Sequence, residues 1–173
     1  MSKNFEDIII RNLVEADQYF LSQYLMDPSV LDFFPMCNLS EVSEALKIWL
    51  YYSRKGQAYT IEVGGKPAGF AILYVNVFKK LAKQSLFAIV IGDKYRGKGV
   101  GTKLMHYLMK EAKHTYGITN LHLEMYEGNP AYSLYKRLGF KDYAVHEDFM
   151  REQLTDKKKK KIMMQMDLSK QDI

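Results

Sequence analysis

Disulfide chemistry is nearly absent from this chain. Its 173 residues contain one cysteine, Cys37, and a lone thiol closes no internal bridge, so a disulfide-stapled scaffold is excluded. Proline is scarce at four residues, and no Pro/Ser/Gly-rich stretch reads as a linker. No run approaches the ~18 apolar residues of a membrane span. The start, MSKNFEDIII, lacks the basic-then-apolar layout of a secretion signal. No internal repeat is present. These absences lead to one expectation: a single domain over residues 1–173, soluble and cytoplasmic. A chain of this size buries ~70% of its unfolded surface, enough for a core without a metal or disulfide staple. With 47% hydrophobic and 26% charged residues, the composition is globular and argues against disorder.

Excess charge is also missing once it is located. Lysine plus arginine number 25 against 20 acids, a formal charge of +5. Lys157, Lys158, Lys159, Lys160 and Lys161 are consecutive, and without them 20 basic residues face 20 acidic ones. The run reads foremost as a solvated tip between two final strands. An anionic surface such as ribosomal RNA, or a ligand phosphate, are the other readings. No aromatic platform interrupts the run, which weakens single-strand binding, so nucleic acid is not the expected partner.

Patterning predicts an alternation of strands and helices. Asp7–Leu13 reads as a strand, Glu15–Met26 as a helix ended by Pro28, and Ser40–Lys55 as a helix capped by Ser40. Gln57–Val63 and Ala68–Val77 form a hairpin about Gly64-Gly65. Ser85–Ile91 (SLFAIVI) is almost wholly apolar and predicts a strand buried on both faces. Helix 100–116, strand 120–126, a short helix 130–138, and strands 141–149 and 162–168 follow, with the lysines between the last two. The pattern implies an α+β, α/β-sandwich fold about a mixed sheet.

The segment from Gly92 to Thr102 carries the chemistry. It joins the apolar strand to an amphipathic helix and is rich in glycine, so backbone N–H groups can approach a ligand closely. The helix start adds unpaired N–H groups and a partial positive charge. Arg96 and Lys98 add full charges. The arrangement suits a diphosphate. A Walker pattern fits Gly92, Gly97 and Lys98 but fails at Gly99, where a hydroxyl is needed. A dinucleotide GxGxxG pattern fits Gly97 and Gly99 but meets Thr102. The pattern [Q/R]xxGxG fits throughout, at Arg96, Gly99 and Gly101.

Two blocks, IVIGDKYRGKGVGTKLM (89–105) and NPAYSLYKRLGF (129–140), resemble the GCN5-related N-acetyltransferase family in content, order and separation. The ending FMREQLTDKKKKKIMMQMDL is similar to the closing hairpin of the ribosomal-protein alanine N-acetyltransferase branch. The resemblance implies a mixed, mostly antiparallel sheet of about seven strands with helices on both faces. It implies acetyl-coenzyme A as donor, a primary amine as acceptor and no metal. The acceptor could be a small molecule, an amino acid, a polyamine or a protein N-terminus, and the assembly a monomer or a homodimer. By similarity, backbone groups of Arg96, Gly97, Lys98, Gly99, Val100, Gly101 and Thr102 hold the pyrophosphate. The strand Ile89–Ile91 splays from its neighbour, and Ile89 and Ile91 pair with the pantetheine arm. An amide near Ile89 or Val90 is the oxyanion donor, and Asn129 touches the arm.

Tyr135, at the family's LY position, is implied as the acid that protonates the leaving thiolate; read from spacing alone it is a core-facing residue. Many members carry a glutamate on the strand before the loop, where this chain has Leu86. Glu124 is then the first candidate base, with His122 two residues away on the same strand face. Gly128 stands where the family's usual asparagine is expected. The missing acid at Leu86 keeps a second reading open: a degenerate member that binds acyl-coenzyme A as a sensor or scaffold. Acceptor choice is assigned to residues 14–40 and the final hairpin. There Tyr19, Phe20, Tyr24, Phe33 and Phe34 are either core or pocket wall, and Asp27 and Asp32 either solvated or cation-attracting. Cys37 reads as a buried or idle thiol.

Overall fold

The computed structural model describes residues 7–152 and 155–173. Residues 1–6, part of the stretch examined for a signal, and residues 153 and 154 of the closing segment lie outside it. Seven strands form one sheet in the order β1-β2-β3-β4-β5-β7-β6. They are β1 (Ile8–Asn12), β2 (Ala58–Val63), β3 (Lys66–Val75), β4 (Gln84–Ile91), β5 (Asn120–Tyr126), β6 (Lys141–Arg151) and β7 (Lys158–Asp167). Only β4 and β5 run parallel; the other neighbours are antiparallel. Among the described residues five α-helices accompany the sheet: α1 (Gln18–Leu25), α2 (Pro28–Leu31), α3 (Leu39–Ser53), α4 (Val100–Lys110) and α5 (Tyr132–Leu138).

Strand alternation divides the core in two. Phe70, Ile72 and Val90 face α1 and α3, where Leu21, Leu25, Val42 and Trp49 close one layer. Ala71, Leu73 and Phe87 face α4 and α5, whose Leu104, Leu108 and Tyr135 close the other. α4 presents Val100, Leu104 and Leu108 at a spacing of four, one turn apart, and all three are fully buried. Helices therefore lie on both faces, as the sequence predicts.

Several local expectations need correction. α3 is capped two residues earlier than Ser40: Asn38 Oδ1 accepts from the Glu41 N–H at 3.0 Å. Pro28 ends nothing but opens α2, where its missing N–H is harmless, and Asp27 caps that turn through the Ser29 N–H at 2.9 Å. The α4 helix stops at Lys110 and continues as a π-turn, Glu111–Thr115. The largest correction concerns the lysines. Lys158–Lys161 are not a solvated tip but the first residues of β7. A Lys-rich stretch in a strand is tolerated here because each ammonium has a carboxylate: Lys158 with Asp148, Lys159 with Glu152 at 2.7 Å, Lys160 with Glu147 at 3.3 Å and Lys161 with Glu124 at 3.0 Å.

The partner strand is bulged to meet them. His146 pairs with Lys161 and Met150 with Lys159, so three residues of β6 stand opposite one of β7. Asp148, within the bulge, has φ of 51°. Bulges re-aim side chains, and this one turns Phe149 back over the sheet. Its ring stacks on Tyr126, 6.0 Å between centroids, and lies 4.0 Å from the Lys161 ammonium.

Candidate active site

The site begins where two strands part. β4 and β5 are registered only from Gln84–Asn120 to Leu86–His122, although β4 continues to Ile91 and β5 to Tyr126. On its other side β4 stays paired to β3 up to Ile91. The Gly92 N–H bonds the Ala68 carbonyl at 2.9 Å, which fixes the phase of the ladder. Backbone groups of Val90 face β3, and those of Ile89 and Ile91 face the gap. Of the two amides considered as oxyanion donor, Val90 is thus committed to the sheet and Ile89 is left. The Ile91 carbonyl is occupied from within: Arg96 Nε donates to it at 2.9 Å.

Two cavities open from this gap. The first, about 500 Å³, runs between β4, the glycine loop and α5. Ile89, Val90, Ile91, Arg96, Gly97, Gly99, Gly101, Thr102 and Asn129 all line it. Gly97 and Gly99 have φ of 67° and 80°, which side chains other than glycine resist. Gly99 precedes α4, and the first i→i−4 bond, Lys103 N–H to the Gly99 carbonyl at 3.0 Å, leaves the amides of Val100, Gly101 and Thr102 outside the helical ladder. A Cβ on Gly101 would meet Leu134 and Ile91 only at ordinary contact, 3.5 and 3.6 Å. Protein packing does not require glycine there, whereas close approach of a ligand to the backbone does. The loop and cavity fit a pyrophosphate with an extended arm.

Three loop expectations change in detail. The Arg96 N–H is already bonded to the Asp93 carbonyl at 3.0 Å, so Arg96 offers its guanidinium, whose Nη1 donates to Ser29 Oγ at 2.8 Å. Lys98 lies outside the cavity wall, its ammonium donating to the Lys94 carbonyl at 2.5 Å. Val100 is buried in the core, contributing its backbone alone. Arg137 lines the cavity and was missed. Its signal was present: in LYKRLGF it sits two residues after Tyr135, in the last turn of α5.

The second cavity, about 280 Å³, lies on the α3 side of the gap. Its walls include Phe33, Phe34, Trp49, Tyr74, Leu86 and Tyr126, and among the described residues its only charged side chains are Glu124 and Lys161. Phe33, Phe34, Ile89, Asn129 and Tyr135 belong to both cavities, so the two meet there. Of the other aromatics, Tyr24 is structural, its hydroxyl donating to the Pro67 carbonyl at 2.7 Å, and Tyr19 is exposed. Asp27 is a helix cap and Asp32 is exposed. Cys37 is exposed rather than buried, with Sγ 3.4 Å from Glu41 Oε1.

Tyr135 is core-facing, as its spacing reads. The ring packs against Phe87 and Phe140 at 5.8 Å, yet the residue also lines both cavities. Burial pushes its hydroxyl above the ordinary tyrosine range, so the proton stays in place at working pH. Asn129 Oδ1 accepts from the Ala131 N–H at 2.9 Å and shapes the entry to α5. Glu124 is held by Lys161. His122 shares Glu124's strand face but lies outside the walls of both cavities. Burial lowers its pKa, partly offset by Glu124, which leaves the imidazole neutral.

The sequence model of the Acetyltransferase (GNAT) family matches residues 23–140. An N-alpha-acetyltransferase of Sulfurisphaera tokodaii is 39% identical over 64 residues, 36% of this chain and 38% of that protein. An uncharacterized N-acetyltransferase of Methanocaldococcus jannaschii is 30% identical over 107 residues, 60% of this chain and 47% of that protein. The chain thus spans less than half the length of these curated relatives. Among solved structures, yncA from Salmonella typhimurium, determined with its cofactor acetyl-CoA, superposes with a TM-score of 0.81 at 18% identity, covering 97% of this chain and 98% of that one. The ribosomal-protein-S18-alanine N-acetyltransferase from Escherichia coli superposes at 0.70 with 22% identity, covering 94% of each chain. The latter two likenesses speak for the fold and the family model for descent: this chain belongs to the Acetyltransferase (GNAT) family.

Proposed function

We propose that this protein is an N-acetyltransferase that moves acetyl from acetyl-coenzyme A to a primary amine by direct attack. One observation carries the reading: two cavities, one built for an anionic extended ligand, the other apolar, meet where β4 leaves β5. Acetyl-coenzyme A supplies a thioester carbon open to nucleophiles. The loop amides from Gly97 to Thr102 and the guanidinium of Arg96 hold its phosphates, and the free edge of Ile89 and Ile91 aligns its arm. Confining both reactants at one junction removes much of the entropic barrier to their encounter. The Ile89 N–H is the donor for the oxygen that gains charge during attack. Glu124 accepts a proton from the incoming ammonium. As the carbon–nitrogen bond forms and the carbon–sulfur bond breaks, Tyr135 gives its proton to the sulfur and regains one from the amine. Of the two protons the nitrogen loses, one ends on the thiol and one in solvent.

The Lys161 hold on Glu124 and the apolar Leu86 support the rival reading, a coenzyme-binding sensor. Thiol release against a panel of amines decides between them. Amine-dependent release is the expected result. Coenzyme binding without release on any amine would establish the sensor.

A further inference from the structure

The ion pair inside the acceptor cavity carries a statement about the acceptor itself, which rests on the acetyltransferase reading. Glu124 and Lys161 are the cavity's only charged walls among the described residues. They face each other across β5 and β7 at 3.0 Å. The Lys161 side chain is 13% exposed and is fixed from the other side by the Phe149 ring, 4.0 Å away. This ammonium is therefore largely out of water and depends on its carboxylate.

An amine arrives as an ammonium and needs an anion to enter an apolar cavity. Among the described residues of its wall, Glu124 is the one anion. The Glu124 side chain is 41% exposed and holds Lys161 through Oε2 alone, so an incoming ammonium must share or take that carboxylate, and either weakens the compensation of the less exposed Lys161. An acceptor that brings its own anion removes the conflict. Its ammonium pairs with Glu124, its anion pairs with Lys161, and the cavity remains neutral. We infer that the acceptor is a zwitterion, an apolar α-amino acid whose carboxylate is bound by Lys161 and whose amine is presented to Glu124.

The chemistry fits in three respects. In an α-amino acid the two charges stand one carbon apart, matching a carboxylate and an ammonium already in contact. The rest of the wall, with Phe34, Trp49 and Tyr74, suits an apolar side chain. A polyamine brings a second ammonium for which the cavity has no acid, and a peptide N-terminus replaces the carboxylate by a neutral amide that cannot pair with Lys161. The exchange also frees Glu124 from Lys161 only when the acceptor is bound, so the base is released by the substrate it serves.

The test compares phenylalanine and leucine with their amides, with spermidine and with a peptide beginning Phe-Leu, by thiol release at saturating acetyl-coenzyme A. The free acids should exceed their amides in kcat/KM by about 30-fold or more, the equivalent of ~2 kcal/mol for a desolvated charge pair. Lys161→Met should bring the acid-to-amide ratio close to one, and Lys161→Arg should restore the preference. Each ratio is taken within one variant, so a general loss of folding or activity does not imitate the effect. Turnover with equal acid and amide rates, or preference for spermidine or the peptide, overturns the zwitterion assignment and leaves the acetyltransferase reading standing. Absence of thiol release with every amine, while acetyl-coenzyme A still raises the melting temperature, overturns both.

Discussion

Tyr135 is buried in the core and also lines both cavities. Replacement by Phe keeps the packing against Phe87 and Phe140 and deletes only the proton. Turnover should fall ~10²–10⁴-fold, the usual worth of a general acid, with coenzyme affinity unchanged in a binding titration. Unaltered turnover would remove Tyr135 from the chemistry. Asp17 makes a separate prediction, about stability. Burial opposes its charge, but the Arg11 guanidinium at 2.7 Å, the Val14 N–H at 3.0 Å and the Thr60 hydroxyl at 2.8 Å prevail and hold its pKa below the ordinary carboxylate value. A depressed folded pKa stabilises above the unfolded value of ~3.9, and that stability is lost as pH falls through the folded pKa. Asp17→Asn leaves Arg11 with Glu62 still beside it, Nε to Oε1 at 2.9 Å, and should cost about 1–3 kcal/mol in denaturant unfolding at neutral pH, the worth of charge-assisted hydrogen bonds. The loss should shrink in acid. Residues like Tyr135, Arg96 and Asn129 are legible in the sequence because their motifs are contiguous. The Glu124–Lys161 pair is not, because 37 positions separate residues that only strand pairing brings together.

At the scale of elements, β4 has two unlike edges. Its β3 edge is a complete ladder and its β5 edge is open beyond Leu86. The close approach at Gly69 maintains the first: a Cβ there would come 2.8 Å from the Val90 carbonyl oxygen and 2.4 Å from Ile91 Cδ1. Gly69→Ala must push β4 aside. It should destabilise by ~1–3 kcal/mol, as overpacking does, and weaken acetyl-coenzyme A binding in the same protein, although Gly69 touches neither cavity. A change in stability alone, with normal coenzyme affinity, would show that the strand's position is not critical to the site. SLFAIVI was legible as a central strand because apolar side chains declare burial, but Leu86, Ala88, Ile89 and Ile91 are only half-buried where the cavities open. Its functional part is backbone, and composition alone carries no signal for a free edge. The β6 bulge was invisible for a related reason. Three residues opposite one is a property of two strands together, and neither HEDFM nor KKKKK announces it.

For the whole molecule, the larger cavity spans β4, the loop, α5 and Ser29 of α2, so its proposed occupancy by the coenzyme should tie distant parts of the chain together. Acetyl-coenzyme A at 100 times its Kd should add about 2.7 kcal/mol to stability. For a protein of this length that is a rise of ~5–10 °C in Tm by calorimetry. Arg96→Ala, which removes the cation joining Ser29 to the Ile91 carbonyl, should reduce the shift at the same coenzyme concentration. An equal shift would sink the loop assignment. By itself the sequence determined the number of the strands and their order along the chain, the glycine loop before α4 and the family, because periodicity, glycine spacing and contiguous motifs are local. Only the tertiary structure decided where the lysines lie. The place of Lys158–Lys161 in β7, each ammonium answered by an acid from β5, β6 or the segment after β6, depends on strand register. Register is fixed by which side chains must be buried together, and that is known only once the whole sheet has formed.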